Sequence, residues 1–517
     1  MSGKTISINS QVLRWNDSLN RWSLSELEVD NYSIDLYNTE EGILETFNLN
    51  DLSMQSEQNS QKKIKLSFQN GKKEIIKFLN VPDKEIIMNF YNKIAGNDEK
   101  MEDIKLKRES KINKELTNEE IEELKKSPYY LEGYLNLKNR NSIPLELKFP
   151  ENYSKEVVKT ISSKIFPVTF NEPINMLQKY CEQFQNIYLL KQVSLSKDDE
   201  KRIIAIFQFL LEESDINVNR TLKPFNPLAG ETYEYYDKNN NFRYFSEQVE
   251  HKPNTISAFI CESDNIKIFG DTHYDTAFAF LKGGMSLTFV TKTHVLFLDD
   301  NKEFVYNKPI VFIKGVLTGK LTTDYSGLVE IYSDKGEIGA RINFEENTGE
   351  IKGGIYNKND LENPIGIFKG NWKNSIKYVK FGKESVIWEK DNNLKIGRYD
   401  LNSLNYPLNF ETLKLNEIND ELKKFLPISD SRFRPDIQIY ENGDLDKTEE
   451  VKKKLEEKQR VKFKDLEDKK EEYKPKYFKK EKNELSNDEV YVYCGDYFEE
   501  RKKGDFGDVP NLFEYES

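Results

Sequence analysis

The sequence predicts a mainly β protein with flanking helices, an α+β chain of two unequal units, and three observations carry that expectation. From about residue 256 to 368, strand-like runs follow one another across Asp, Asn, Gly and Lys turns with no long helix between them. That succession favours an antiparallel sheet closing on itself. Residues 1–96 show a shorter version, strands ended by a single helix. From about 410 onward the pattern turns helical and densely charged. A chain of 517 residues exceeds one ordinary domain, and its 12% aromatic content suffices for a core even with 32% charged residues.

Taken in order, strands are expected over 12–15, 21–29 and 32–37, and Ile64, Leu66 and Phe68 alternate with polar residues. Asn70-Gly71 is a two-residue hairpin signal before a strand over 74–79. Asp83 then caps a helix reaching Ala95, with Ile86, Ile87, Phe90, Tyr91 and Ile94 as its apolar stripe. In pattern and position residues 1–96 resemble a pleckstrin-homology domain. That resemblance implies phosphoinositide headgroup contacts from basic residues around the first hairpin, here Arg14 and Arg21. By themselves the two arginines read as solvated strand-end charges of a domain that binds protein or nothing. Residues 97–127 read as a linker rich in Lys and Glu, holding one short helix. Thr117 and Glu120 form its capping box, and Leu116 with Ile121 its hydrophobic staple.

The large unit is expected over 128–517. Tyr153, Val157, Val158 and Ile161 share one face of a short helix. Ile174, Leu177, Cys181, Phe184 and Tyr188 continue at helical spacing, and 202–211 forms a second apolar helix; both read as packing. Next comes Lys223-Pro224-Phe225-Asn226-Pro227-Leu228-Ala229-Gly230-Glu231. Its prolines fix φ and stiffen the loop, while Lys223 and Asn226 offer an ammonium and an amide. This is an anion site, or a stiff loop with solvated charges. A strand over 241–249 then presents His251 and Lys252 in Glu247-Gln248-Val249-Glu250-His251-Lys252-Pro253. Further strands are expected over 256–261, 266–269, 286–298, 310–312, 327–332, 339–344 and 366–368. His273 and His294 among them have no metal-spaced partner and read as structural or exposed. Finally, a helix capped near Asp446, with Glu449 at the capping-box position, sets Lys452, Glu456 and Arg460 at steps of four on one side. Such a helix is self-supporting by ion pairing and, by its own residues, reads as a solvated charged face, since most residues from 449 to 470 are charged.

Two of these stretches carry a specific resemblance. KPFNPLAGE and EQVEHKP are similar to the two signatures of the oxysterol-binding-protein-related family of lipid-transfer proteins. The segments 166–173 and 426–436 resemble further family segments. In the second signature Lys252 stands where the family has a second histidine, and Asn254 where it has a second proline. The resemblance implies an incomplete antiparallel barrel over about 220–400 that encloses a lipid tunnel. It implies a lid over about 151–165 bearing Tyr153, Val157, Val158 and Ile161, and a C-terminal helical region over about 410–517. It also implies a headgroup site of Lys223, Asn226, His251, Lys252, Lys452, Glu456 and Arg460. Sterol would share the tunnel with phosphatidylinositol 4-phosphate; the alternative is a lipid-sensing adaptor without net transport. Tyr129-Tyr130 is only an echo of the family's endoplasmic-reticulum docking motif.

Other classes are disfavoured. A net charge of −12 argues against nucleic acid as a partner of the whole chain. The three cysteines are far apart, so reduced thiols in a cytoplasmic protein are expected. The N-terminal MSGKTISINSQ lacks the apolar core of a secretory signal, and no run of about 18 apolar residues offers a membrane span, so membrane contact is expected to be peripheral. With three histidines and no GxSxG, Walker loop or metal cluster, neither catalytic residues nor a cofactor is expected. A monomer is the expected state.

Overall fold

In the computed structural model the chain forms two compact units, Met1–Glu115 and Leu116–Ser517. The structure describes residues 117–515 except 138–139, 141–142, 146–166, 218–219, 221, 280–283, 316–321 and 391–409, together with the backbone of seven strands in the first unit.

Those seven strands are β1 (Ile8–Asn16), β2 (Arg21–Val29), β3 (Ser33–Asn38), β4 (Ile43–Asn48), β5 (Leu52–Ser56), β6 (Lys63–Phe68) and β7 (Lys73–Phe78). They form one antiparallel sheet in the order β4-β3-β2-β1-β7-β6-β5. Arg14 lies within β1, and Arg21 opens β2 opposite Asn16. The expected helix from Asp83 lies outside the described residues, as does the expected lid with Tyr153, Val157, Val158 and Ile161.

The second unit opens with α1 (Asn118–Lys125), which has the capping box expected from Thr117 and Glu120. Then come β8 (Asn171–Asn175), α2 (Met176–Cys181), α3 (Tyr188–Lys191), α4 (Asp199–Asn217) and β9 (Lys223–Phe225). The single helix expected through Ile174 and Tyr188 is thus broken. Ile174 belongs to a strand, and the Asn175 side chain caps α2 by accepting from the Gln178 amide. Asn favours that cap role over a helix interior because its side chain competes for backbone groups.

The main sheet contains β10 (Thr232–Asp237), β11 (Phe242–Glu250), β12 (Ile256–Ser263), β13 (Ile266–Asp271), β14 (Tyr274–Ala279), β15 (Gly284–Phe289), β16 (Thr293–Phe297) and β17 (Lys302–Tyr306). It continues with β18 (Ile310–Lys314), β19 (Thr322–Ser333), β20 (Ile338–Phe344), β21 (Glu350–Asn357), β22 (Asp360–Asn371), β23 (Ser375–Lys380) and β24 (Lys383–Glu389). The order runs β10-β11-β12-β13-β16-β17-β19-β20-β21-β22-β23-β24, and β14-β15-β18 joins as a branch on β19. Among the described residues the ends of this order, β10 and β24, do not pair with each other, so the sheet is an incomplete barrel. The run expected over 286–298 is two strands, β15 and β16, which pair in different parts of the sheet. The branch has a local cause: Thr322–Ser326 of β19 pair with β18, and from Gly327 onward β19 pairs with β20. Gly327, at φ +95°, lies at the switch, a conformation that costs glycine little.

Inside the curved sheet lie α2 and α4. Phe207 meets Phe368 at 4.9 Å between ring centroids, and Phe184 meets Tyr244 at 5.5 Å, binding helix to strand in one aromatic core. The chain then adds α5 (Phe410–Lys414), α6 (Pro435–Glu441), α7 (Leu445–Lys469), the hairpin β25 (Phe478–Lys482) and β26 (Glu489–Tyr493), and α8 (Tyr497–Lys503). The region expected to be helical over 410–517 therefore includes a hairpin. Phe245 of β11 stacks on Tyr497 of α8 at 3.8 Å, tying this region to the sheet. His294 is fully buried on the face of Phe269, with Nδ1 2.5 Å from Glu303, so it is structural. His273 is half-buried with Nε2 3.0 Å from the Asn254 side chain.

Candidate functional site

A cavity of about 380 Å³ lies between the helices and the branch of the sheet. Met176 and Tyr180 of α2, Leu210 and Ser214 of α4, and Phe278 and Met285 of β14 and β15 form part of its wall. Its size falls in the range of small-ligand sites, and its lining is mostly apolar. The wall also holds charge. Arg220 bridges the buried Glu172 and Glu182, and Lys308 pairs with Glu213. Lys223 and Pro224 belong to the same wall.

The loop beginning at Lys223 is rigid for reasons that can be followed residue by residue. β9 pairs in parallel with β8, matching Asn171 to Lys223 and Asn175 to Phe225. Phe225 is buried edge-on to Tyr440 at 5.5 Å. Glu231, fully buried, accepts from the Leu228 amide at 2.8 Å, from Ser431 Oγ at 2.8 Å, from Arg434 at 3.0 Å and from the Asn175 side chain. Burial pushes its carboxyl pKa up against the pull of Arg434. Arg434 grips both oxygens of Asp436, at 2.8 and 2.9 Å, and donates to the Asn226 carbonyl at 2.7 Å. The segment 426–436 is thus a clamp that fixes the loop.

Gly230 sits at φ +85°, and a Cβ there would lie 2.8 Å from the Tyr473 hydroxyl. Gly230→Ala is therefore expected to destabilise the unit by about 1–3 kcal/mol, read as a lower urea midpoint at unchanged slope.

The charged helix is α7, and its start differs from the expectation. Asp444, one residue before Leu445, is the cap, accepting from the Lys447 amide at 3.0 Å. Glu449 instead accepts from the Val168 amide at 2.9 Å, holding the chain just before β8. Lys452 is buried and Glu456 half-buried toward the loop. Arg460 is exposed and pairs with Glu457 at 2.6 Å. Helical geometry explains the split: eight residues overshoot two turns by about 80°, whereas seven fall about 20° short. The residue seven after Lys452 is Gln459, whose Oε1 accepts from the Ala229 amide at 2.7 Å. Its Nε2 lies 3.2 Å from His251, whose ring is 5.0 Å from that of Phe463.

The structure thus brings Lys223, Lys452 and Glu456 together. Burial first, and the neighbouring Lys452 second, lower the Lys223 ammonium pKa from 10.5 to about 8, with Glu456 opposing. His251 joins through Gln459; burial and then Lys252 hold its imidazole pKa below the usual value. Lys252 points outward, half exposed, and pairs with Glu467 of α7 at 2.9 Å. The Asn226 residue is exposed, with its carbonyl engaged by Arg434. Sequence reasoning missed Gln459, Arg434 and Glu231. The seven-residue spacing could have revealed Gln459. The burial that pairs Glu231 with Arg434 joins segments 203 positions apart and has no local signal. Tyr129 and Tyr130 pack on Arg243 and Tyr236 of the sheet.

Comparison with known proteins places this arrangement. The oxysterol-binding protein family is matched over residues 151–502, about two thirds of the chain. Oxysterol-binding protein homolog 1 of Saccharomyces cerevisiae is 30% identical over 385 residues, 69% of this chain and 32% of that protein. Oxysterol-binding protein-related protein 1B of Arabidopsis thaliana is 30% identical over 403 residues, 74% of this chain and 78% of that protein. The chain thus spans about a third of the yeast relative and most of the plant one. Among solved structures, the Osh1 ORD domain in complex with cholesterol matches with a TM-score of 0.66 and 26% identity, covering 77% of this chain and all of that one. The Osh3 ORD of Saccharomyces cerevisiae in complex with PI(4)P matches at 0.60 and 28%, covering 73% and 99%. With the two signatures, the incomplete barrel and the cavity all in place, the chain belongs to the oxysterol-binding protein family.

Proposed function

We propose that this chain is a lipid-transfer protein. It holds one lipid at a time in the cavity and carries sterol, or another neutral or anionic lipid, between membranes in exchange for phosphatidylinositol 4-phosphate. The observation that carries this reading is the double position of Lys223, which lines the apolar cavity and adjoins Lys452 and Glu456. An acyl chain or sterol suits the cavity, and a phosphate at its edge needs the strong donors gathered there. The relatives crystallised with cholesterol and with PI(4)P support both halves.

Lys223 and Lys452 would contact the phosphate directly, Glu456 would orient them or accept inositol hydroxyls, and His251 would donate from the position set by Gln459. Asn226 and Arg460 would close over the headgroup from exposed positions. Lys252 would join only by leaving Glu467. Replacing it with alanine is expected to lower phosphatidylinositol 4-phosphate extraction from liposomes by less than about threefold, since the pair it leaves is an exposed one. A tenfold loss would make Lys252 a principal ligand. The first unit would act as a pleckstrin-homology-like module that selects membranes through Arg14 and Arg21. Contact with membranes would be peripheral, and among the described residues no helix is long and apolar enough to cross one. The protein would act as a monomer, without catalysis or a cofactor.

The decisive measurement is kinetic. Catalytic amounts of protein should equilibrate labelled sterol and phosphatidylinositol 4-phosphate between donor and acceptor liposomes. Stoichiometric binding without such turnover would make the chain a lipid-sensing adaptor instead.

A further inference from the structure

At one end of the sheet order, β23 and β24 meet in the two-residue turn Phe381-Gly382, closed by Lys380 opposite Lys383. Both turn residues have positive φ, +51° and +78°. That combination favours Asn-Gly, and an aromatic residue adopts the left-handed region at a conformational cost. Nor does packing account for the phenylalanine, because Phe381 is 93% exposed. This residue is unfavourable both for its backbone conformation and for its contact with water.

Its surroundings indicate what it meets. Ile367 and Val386 on the adjoining strands are also exposed. Around them stand Lys369, Lys377, Lys380 and Lys383. Lys369 and Lys377 share the single carboxylate of Glu384, Lys380 pairs with Glu200, and the Lys380 ammonium lies 5.5 Å from the Phe381 ring. Four cations thus face two carboxylates. Glu200 belongs to the first turn of α4, and the cavity is lined by the other end of that helix, at Ser214, Ile216 and Asn217. Seventeen residues of helix separate Glu200 from Asn217, about 25 Å.

We infer that the β23–β24 turn is a membrane-docking element that inserts Phe381 into the surface of an anionic bilayer. A single ring at the crest of a narrow hairpin reaches the boundary between headgroups and acyl chains. Lysines set just behind it reach the lipid phosphates while their stems lie against apolar surface. Because the turn lies away from the cavity, this inference does not depend on which lipid the cavity holds, and its failure would leave the proposed transfer function standing.

The test uses the full chain and vesicles of phosphatidylcholine with or without phosphatidylserine. Phe381→Asn creates the favoured Asn-Gly turn, so its urea midpoint should equal or exceed that of the parent. Its partitioning onto phosphatidylserine vesicles should fall about tenfold, as expected for losing one buried aromatic side chain. In Phe381→Trp, brominated lipid should quench the new fluorescence above the baseline of the four native tryptophans. Parent-like partitioning of Phe381→Asn would overturn the inference. So would a Phe381→Trp protein that is vesicle-bound yet unquenched, or parent binding indifferent to phosphatidylserine.

Discussion

Replacing Arg434 with methionine is expected to destabilise the large unit by about 3–5 kcal/mol, a large part of a typical domain's stability. The size follows from what the arginine leaves behind. Glu231 and Asp436 are both fully buried, and Arg434 is the cation that touches each. Removing one member of such a set strands carboxylates where water cannot reach them. Urea unfolding at pH 7 gives the loss directly. The deficit should narrow as pH falls, because protonation removes the uncompensated charge. Burial has already pushed the Glu231 pKa up in the native state, so this carboxyl favours the fold below its unfolded pKa and loses that contribution as pH rises through its folded value. A variant within about 0.5 kcal/mol of the parent would show that the clamp is not what holds the loop.

Lys223→Met is expected to reduce phosphatidylinositol 4-phosphate binding by about 30- to 100-fold, the loss of one charge-assisted contact in a desolvated site, while sterol binding changes little. The pH dependence gives this prediction its specificity. With the free Lys223 pKa at about 8, the ammonium is mostly charged at pH 7 and mostly neutral at pH 9. A bound phosphate raises that pKa, so binding takes up a proton between the two values. Affinity in the parent should therefore fall by up to tenfold per pH unit above about 8, where an ordinary lysine would still be charged. The methionine variant should lack this decline.

Stability should move the other way. The folded pKa lies below the unfolded value of 10.5, so the charged lysine burdens the empty fold at neutral pH, and the burden lifts progressively as pH rises from about 8 to 10.5. Lys223→Met should thus stabilise the ligand-free protein by at most about 3 kcal/mol. A loss of stability, or a flat parental pH profile, would contradict the placement of Lys223 beside Lys452.

Much of the main sheet was legible because its signals are local. Alternation marked the strands, and positions such as Asn265 and Asn301 carry the positive φ that their turns need. Strands such as β17 and β21 escaped sequence reading because they carry charged or glycine-rich stretches whose burial comes only from neighbours. The site was legible in part. Of the residues proposed for a headgroup, Lys223, Lys452 and Glu456 lie close together, and His251 is held nearby. Lys252 and Arg460 instead pair with Glu467 and Glu457, because local ion pairs on α7 compete for exposed cations.

By itself the sequence determined family membership, the stiff loop between Pro224 and Pro227, and the presence of a charged helix able to face it. Those properties rest on φ restriction, side-chain chemistry and helical spacing, all written within short stretches. Only the tertiary structure decided which face of α7 meets the loop, that Gln459 rather than Arg460 reaches it, and that Arg434 secures Glu231. The reason is burial. Desolvation turns an ordinary lysine into one with a pKa of about 8 and an ordinary arginine into a structural clamp, and it arises only when segments about 200 residues apart exclude water together.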